Sequence, residues 1–341
     1  MPQVKRILVA RIGRIGDMVM ITPAMQALLV KFPHANITLL TTSDGVRTFK
    51  GFSDRIDKFI LYDRKSLVPW LTRINIKKSL NEDQYDHIYC FESNPNFLKL
   101  FSQLNSSIHS LQSTSDKSIH YAQYCLNLVN PDDVNTKMAF PLKLVVTEKA
   151  KLDAKRQLET LQITASDFVI GFHPSFSGLA KSFGRAKKSS QHRVWLIENW
   201  GILATLITNY ASEHHLNIKI MMDLIPEEQA IGETIQQQSQ GAALYQCPPL
   251  NFERYKATLA RYDLLITPNS GPMHIAAAVN TKVITLFSKH TPSDCQPFVP
   301  DDQFTVLQAE AMPHPEKGLA AIDPQTVFKS CLEYLPTKKT I

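Results

Sequence analysis

The chain has 341 residues, 44% hydrophobic and 20% charged, which is the balance of a globular protein and excludes a disordered or fibrous one. That length favours two domains of about 150 residues each. A formal charge of +6 points to an anionic partner, a class that spans nucleic acid, phosphorylated small molecules and membrane surfaces.

No apolar stretch approaches the roughly 18 residues of a membrane span. "ILVA" near the start is too short for a signal-peptide core, so the expected location is cytoplasmic. Cys90, Cys125, Cys247, Cys295 and Cys331 form no CxxC pair, and neither a disulfide framework nor a structural zinc site is expected.

In chain order, "RILVA" reads as a strand, 18–32 as a helix, "ITLLTT" as a strand, 45–50 as a helix, and "KFILY" and "DHIYCF" as further strands. The alternation restarts at "DFVIGFH" (167–173) and continues through "NIKIMM", "AALY", "DLLITP" and "KVITLF", with amphipathic helices between, one at 251–261 opened by Asn251 as N-cap. Strands alternating with helices predict an α/β protein of parallel sheets covered on both faces. A break marked by Pro131 and Pro141 divides the chain into a domain at 1–150 and another at 151–341, both Rossmann-like. In such sheets ligands bind outside the carboxyl ends of the strands, and a cleft between the domains is the expected site.

The first strand runs into "RIGRIGD", and the residues beyond it place Ile21, Met25, Leu28, Leu29 and Phe32 on one helical face. Two starts are open for that helix: at Asp17 with a kink at Pro23, or at Thr22 as N-cap with Pro23 in the first position. Gly13 and Gly16 give GxxG and not the GxGxxG of a dinucleotide site. From this loop alone, Asp17 reads equally well as a helix cap or as a reactive carboxylate at a strand's end.

A second motif, "LLITPNSGPMHIAAAVNTKVITLF", ends a strand in "TPNSGP" and enters a helix of small and apolar residues at once. Such a turn aims the unpaired N–H groups around Gly271 and His274 at whatever lies before the helix, forming an anion site suited to a diphosphate.

With "RIGDMVMITPA" at 14–24 and "NSGPMHIAAA" at 269–278, the chain resembles glycosyltransferase family 9, the lipopolysaccharide heptosyltransferases. "YDHIYCF", "IGFHPS" at 170–175 and "RVWLIENW" at 193–200 extend the likeness over nearly the whole chain. The resemblance implies a GT-B fold, two Rossmann-like domains with parallel sheets facing across a cleft. The N-terminal domain would bind the acceptor and carry the base, the C-terminal domain would hold the nucleotide sugar, and a last helix at 323–335 would pack back on the N-terminal domain. It further implies inversion at the anomeric carbon with no metal and no cofactor, which agrees with the lack of a DxD or HExxH motif.

Carried over by position, Asp17 matches the family's catalytic base, with Gly13, Arg14 and Gly16 in the loop beside it. Ser175 and Arg193 match groups that reach the donor's phosphates, and Ser270, Gly271, Pro272, Met273 and His274 complete the phosphate turn. Glu227 or Glu228 matches the ribose-binding acid, Glu227 preferred, and Leu250 stands where relatives back the nucleobase, though apolar residues there are also plain core.

Arg193 replaces the usual lysine, exchanging a point charge for a planar fork. Asn269 replaces the aspartate expected before "SGPMH", leaving a neutral amide toward the donor sugar. The basic loop at 177–192 is longer than the family's compact version and reads as a lid over the donor or an insertion without a role.

The expected partners are a nucleotide-sugar donor and a lipid-anchored saccharide acceptor, with peripheral contact at the inner face of the cytoplasmic membrane. "LVPWL" at 67–71 could enter the headgroup region, and helix packing explains it equally. No aromatic-rich basic strand or recognition-helix pattern supports nucleic-acid binding. The alternatives are a non-catalytic sugar-nucleotide-binding protein of the same fold and a family member using another donor sugar.

Overall fold

The computed structural model describes residues 3–64, 69–112, 119–130, 139–175 and 192–336. Two compact units emerge, one of Met1–Val145 with Ser293–Phe298, the other of Val146–Pro292 with Val299–Ile341.

The first unit contains β1 (Arg6–Arg11), α1 (Ile15–Val19), α2 (Thr22–Lys31), β2 (Asn36–Thr41), α3 (Ser43–Phe49), β3 (Ile56–Leu61), α4 (Pro69–Asn81), β4 (His87–Cys90), α5 (Pro95–Leu98), β5 (Ser107–Ser110) and α6 (Tyr121–Val129). Its strands form one parallel sheet in the order β3-β2-β1-β4-β5. β1 lies in the centre with Ile7 to Ala10 fully buried, which is why it reads as a continuous apolar run and not as an alternating one.

The second unit contains α7 (Glu148–Glu159), β6 (Phe168–Phe172), α8 (Ile197–His214), β7 (Ile218–Asp223), α9 (Gln229–Gln238), β8 (Ala243–Gln246), α10 (Phe252–Arg261), β9 (Leu264–Pro268), α11 (Gly271–Ala278) and β10 (Lys282–Phe287); after α12 (Pro292–Cys295), whose last three residues belong to the first unit, it resumes with β11 (Phe304–Gln308) and α13 (Pro324–Cys331). Its parallel sheet runs β11-β10-β9-β6-β7-β8 around a core that includes Phe172, Trp195, Trp200 and Ile266. The last helix, α13, packs on α8 and β10 of this same unit.

Both sheets are doubly wound. The strand order reverses between β1 and β4 in the first and between β6 and β9 in the second, and it is outside the carboxyl ends at such reversals that ligands bind in sheets of this kind. The loops after those four strands are therefore the places to look for chemistry.

Neither start foreseen for the first helix is the one found. A single-turn helix opens at Ile15, before Asp17, and a second opens at Thr22 with Ile21 in the cap position. Pro23 has no N–H to give the carbonyl of Val19, and the Thr22 hydroxyl donates to that carbonyl instead at 2.7 Å. The same hydroxyl accepts from the Lys143 N–H at 3.1 Å, which ties the break to the segment returning past α2.

Candidate active site

In the first unit the chain leaves β1 at Arg11 and turns through Gly13 into α1. The turn is held by the Thr42 hydroxyl at the end of β2, which donates to the Gly13 carbonyl at 2.8 Å. Asp17 lies on the first turn of α1, where its Oδ2 accepts from the Arg14 N–H at 2.9 Å. Its Oδ1 faces Arg11 Nη2 at 3.5 Å, and the side chain remains 40% exposed. The carboxylate thus closes the helix start and still presents itself to solvent, so the capping and reactive readings of this residue are compatible.

Arg11 is the residue that sequence reasoning missed. Its Nη1 donates to Glu92 Oε1 and to the Phe91 carbonyl, both at 3.2 Å, and its guanidinium lies 4.8 Å from the Tyr121 ring centroid. Glu92 follows β4, across the strand-order reversal from β1, and its Oε1 also accepts from the Ile12 N–H at 2.6 Å. Burial disfavours the Arg11 charge, yet Tyr121, Glu92 and Asp17 together hold its pKa above the ordinary value. Arg14, which the motif singles out, is exposed, and Gly16 is half-buried. The one available signal for Arg11 was its place as the last residue of a buried strand.

In the second unit Ser175 follows β6 and is buried, and its hydroxyl donates to Glu228 Oε1 at 2.5 Å. Glu228 ends the short helical turn Pro226–Glu228 after β7, and its Oε2 accepts from the Ile225 N–H at 3.4 Å. Glu227 points to solvent. Of the two acids, the one joined to Ser175 is therefore Glu228, and burial raises its pKa against the opposing bonds from Ser175 and Ile225.

Beside Ser175, His173 has its Nδ1 buried with no hydrogen-bond partner among the described residues, and burial lowers its pKa to about 4. The ring is neutral at physiological pH.

Arg193 and the turn after β9 meet directly, because Arg193 Nη2 donates to the Asn269 carbonyl at 2.9 Å. The segment carrying Arg193 is fixed by Trp195, whose Nε1–H donates to the Ile322 carbonyl at 2.7 Å and whose ring stands edge-on against Trp200. Gly318 lies against the backbone of His192 at a φ of +63°, a conformation reserved for glycine.

Ser270 occupies the N-cap position of α11 but does not cap it, because its hydroxyl is engaged with Thr267 Oγ1 at 3.0 Å. Ser270 therefore gives the first turn of α11 no side-chain cap. A β-carbon at Gly271 would meet nothing within 4 Å, and its φ is not positive, so neither packing nor backbone strain demands glycine there. Open space above the start of a helix is what close approach of an anion requires.

Pro272 is half-buried, whereas His274 and Met273 are buried, the Met273 sulfur accepting from Thr285 Oγ1 at 3.0 Å. Met273 exposes no surface, so any contact it makes with a ligand requires its neighbours to move. Leu250 is 68% exposed just before Asn251, whose Oδ1 accepts from the Arg254 N–H at 3.1 Å as the expected cap, so Leu250 is not a core residue. The loop at 177–192 lies outside the described residues apart from His192, as do the first two residues of "LVPWL".

The model of glycosyltransferase family 9 (heptosyltransferase) matches residues 140–321. The lipopolysaccharide core heptosyltransferase OpsX of Haemophilus influenzae is 21% identical over 300 residues, covering 86% of this chain and 82% of that protein. A solved family 9 glycosyl transferase from Veillonella parvula superposes with a TM-score of 0.79 at 18% identity, over 97% of each chain. The E. coli heptosyltransferase WaaC, solved with ADP, superposes with a TM-score of 0.68 at 15% identity, over 97% of this chain and 100% of that one. These likenesses show the shared GT-B fold, and the family match spans more than half of the sequence. With the two motifs standing at the two strand-order reversals, this chain belongs to glycosyltransferase family 9, the heptosyltransferase family.

Proposed function

We propose that this glycosyltransferase moves a heptose from ADP-heptose to the inner core of lipopolysaccharide, with inversion at the anomeric carbon and without a metal. The observation that carries the reading is Asp17, a carboxylate at the carboxyl end of β1 that is held by the Arg14 N–H and Arg11 and is still open to solvent. In a single displacement the acceptor hydroxyl must lose its proton as it attacks, and a fixed carboxylate within hydrogen-bond reach can accept it. Asp17 acts as that base, and the attack comes from the face opposite the departing diphosphate.

The second unit holds the donor. Charge developing on ADP is stabilised by Arg193 and by the uncapped N–H groups of α11, which take the part a metal ion plays elsewhere. The Ser175 hydroxyl exchanges its bond to Glu228 for one to the same phosphates when the donor binds, the acid of the Glu227–Glu228 pair binds ribose, and Leu250 backs the base. Residues 1–150 serve the acceptor and 151–341 the donor. The names of the relatives support a lipopolysaccharide acceptor and an adenine nucleotide, and a lipid-anchored acceptor would bring the enzyme to the inner face of the cytoplasmic membrane.

Asp17→Asn, assayed with ADP-heptose and a deacylated core saccharide, is expected to lower turnover by at least about a hundredfold with ADP affinity nearly unchanged. The product should carry the inverted anomeric configuration by NMR, and turnover should survive EDTA. Equal turnover in the variant, a retained configuration, or loss of activity with the chelator would each overturn the corresponding part. Asn269 favours one further reading, a donor sugar other than heptose, which a panel of nucleotide sugars read by product mass decides.

A further inference from the structure

The helix α4 buries Ile76 and Leu80, one turn apart, in the cluster formed by Leu8, Leu40, Ile60 and Ile88. At about 100° per residue, the side of the helix opposite those two runs through Leu71, Ile74 and Lys78, with Asn75 beside them and Trp70 and Lys77 on its flank. On that outer side and flank Trp70, Leu71 and Ile74 are 61%, 42% and 52% exposed, where a helix facing water carries polar groups. Lys77 and Lys78 are exposed among them, Arg73 is exposed beside them, and the thirteen residues of α4 include no acid.

Adjacent large apolar side chains flanked by cations, on a helix without an acid of its own, fit a helix that lies in a lipid interface. The topology gives the face a direction. Because β3 and β4 run parallel, the helix joining them starts at the carboxyl edge of the sheet, the edge that carries Asp17 and Glu92.

We infer that the outer face of α4 is a docking surface for an anionic lipid bilayer. Trp70, Leu71 and Ile74 enter the boundary between headgroups and acyl chains, and Lys77 and Lys78 pair with lipid phosphates. The inference deepens the proposed function and rests on its reading of the acceptor as lipid-anchored. A second copy of the chain is the poorer occupant, because a face bearing only cations repels itself.

The test uses the whole chain with vesicles of phosphatidylcholine made with and without phosphatidylglycerol. Trp70 is the one exposed tryptophan of three, since Trp195 and Trp200 are fully buried, so emission reports on it selectively. With phosphatidylglycerol present, the emission should shift to the blue and be quenched by brominated acyl chains. Replacing Trp70, Leu71 and Ile74 together by Ser should weaken flotation with these vesicles at least about tenfold. Lys77→Gln and Lys78→Gln should each weaken it about fivefold at low salt.

The triple variant should melt as the parent does and transfer sugar normally to a deacylated, water-soluble acceptor. Vesicle binding that is absent in the parent, or equal in parent and variants, overturns the inference even if transfer is robust. A dimer that sedimentation detects and the triple variant abolishes overturns it in favour of self-association. Lipid binding lost in the variants of a protein that transfers no sugar would uphold the surface and sink the proposed reaction instead.

Discussion

A β-carbon at Gly13 would lie 2.5 Å from the β-carbon of Asp17, so the proposed base is seated directly against a position that has no side chain. Gly13→Ala must displace the carboxylate, because the Thr42 hydroxyl pins the loop from below. Misplacing a reacting group by about 1 Å can cost about a hundredfold in rate. Turnover is expected to drop on that scale while ADP affinity, measured by calorimetry, stays at the parent value.

Arg11 is held by Glu92, Tyr121 and Asp17 with only 14% of its side chain exposed. Arg11→Met strands the Glu92 carboxylate, itself 11% exposed, without its cation. Urea unfolding should show a loss of about 3–5 kcal/mol. Arg11→Lys keeps the charge but not the fork and should lose less.

Glu228 and Glu227 separate cleanly by experiment. Glu228→Gln should weaken ADP binding by about ten- to a hundredfold if the acid joined to Ser175 is the one that meets ribose. Glu227→Gln should leave it within about twofold, on the scale of an exposed charge. Stability gives a second readout with a definite sign. The folded-state pKa of Glu228 is raised by burial, so its contribution is fully present below the ordinary glutamate pKa and is lost as pH rises through the raised value. Glu228→Gln should therefore gain stability relative to the parent as pH increases across that window, read from melting temperatures at several pH values.

His173 has the opposite sign. Burial lowers its pKa from 6.5 to about 4, so between those values the unfolded chain binds a proton that the folded chain does not. Stability should rise as pH rises through this window, by about 1–3 kcal/mol in all. His173→Asn should flatten that part of the profile, and an unchanged acid slope would refute the assignment.

Much of the fold was legible because central strands of doubly wound sheets are apolar without interruption. β1, β9 and β10 stand out for that reason. The strands that escaped were β5 and β11, each at an edge and paired on one side only. "SIHS" contains a single aliphatic residue, since Ser107 and Ile108 face solvent and nothing in the local pattern requires a strand there.

At the candidate site, the features legible in the sequence are those set by backbone position. The turn at 269–274 is one case, because a strand end followed at once by a helix start defines it. Arg11 and Glu228 were harder to see. Their importance lies in what burial and a neighbouring strand bring near them, and the preference for Glu227 over Glu228 depends on which way a three-residue turn rotates. The helix break at Pro23 was half visible: proline announces that a helix cannot pass, but not that a threonine hydroxyl takes over the orphaned carbonyl.

Arg193 grips residue 269 by its main-chain oxygen, a group that every amino acid supplies. The guanidinium therefore keeps this bond whichever side chain occupies that place, so on the proposed roles a change of side chain at 269 alters the sugar contact without moving the phosphate contact. Restoring an acid through Asn269→Asp should change which sugar is accepted without loosening ADP, an uncoupling that would let one scaffold sample new donors a single codon at a time.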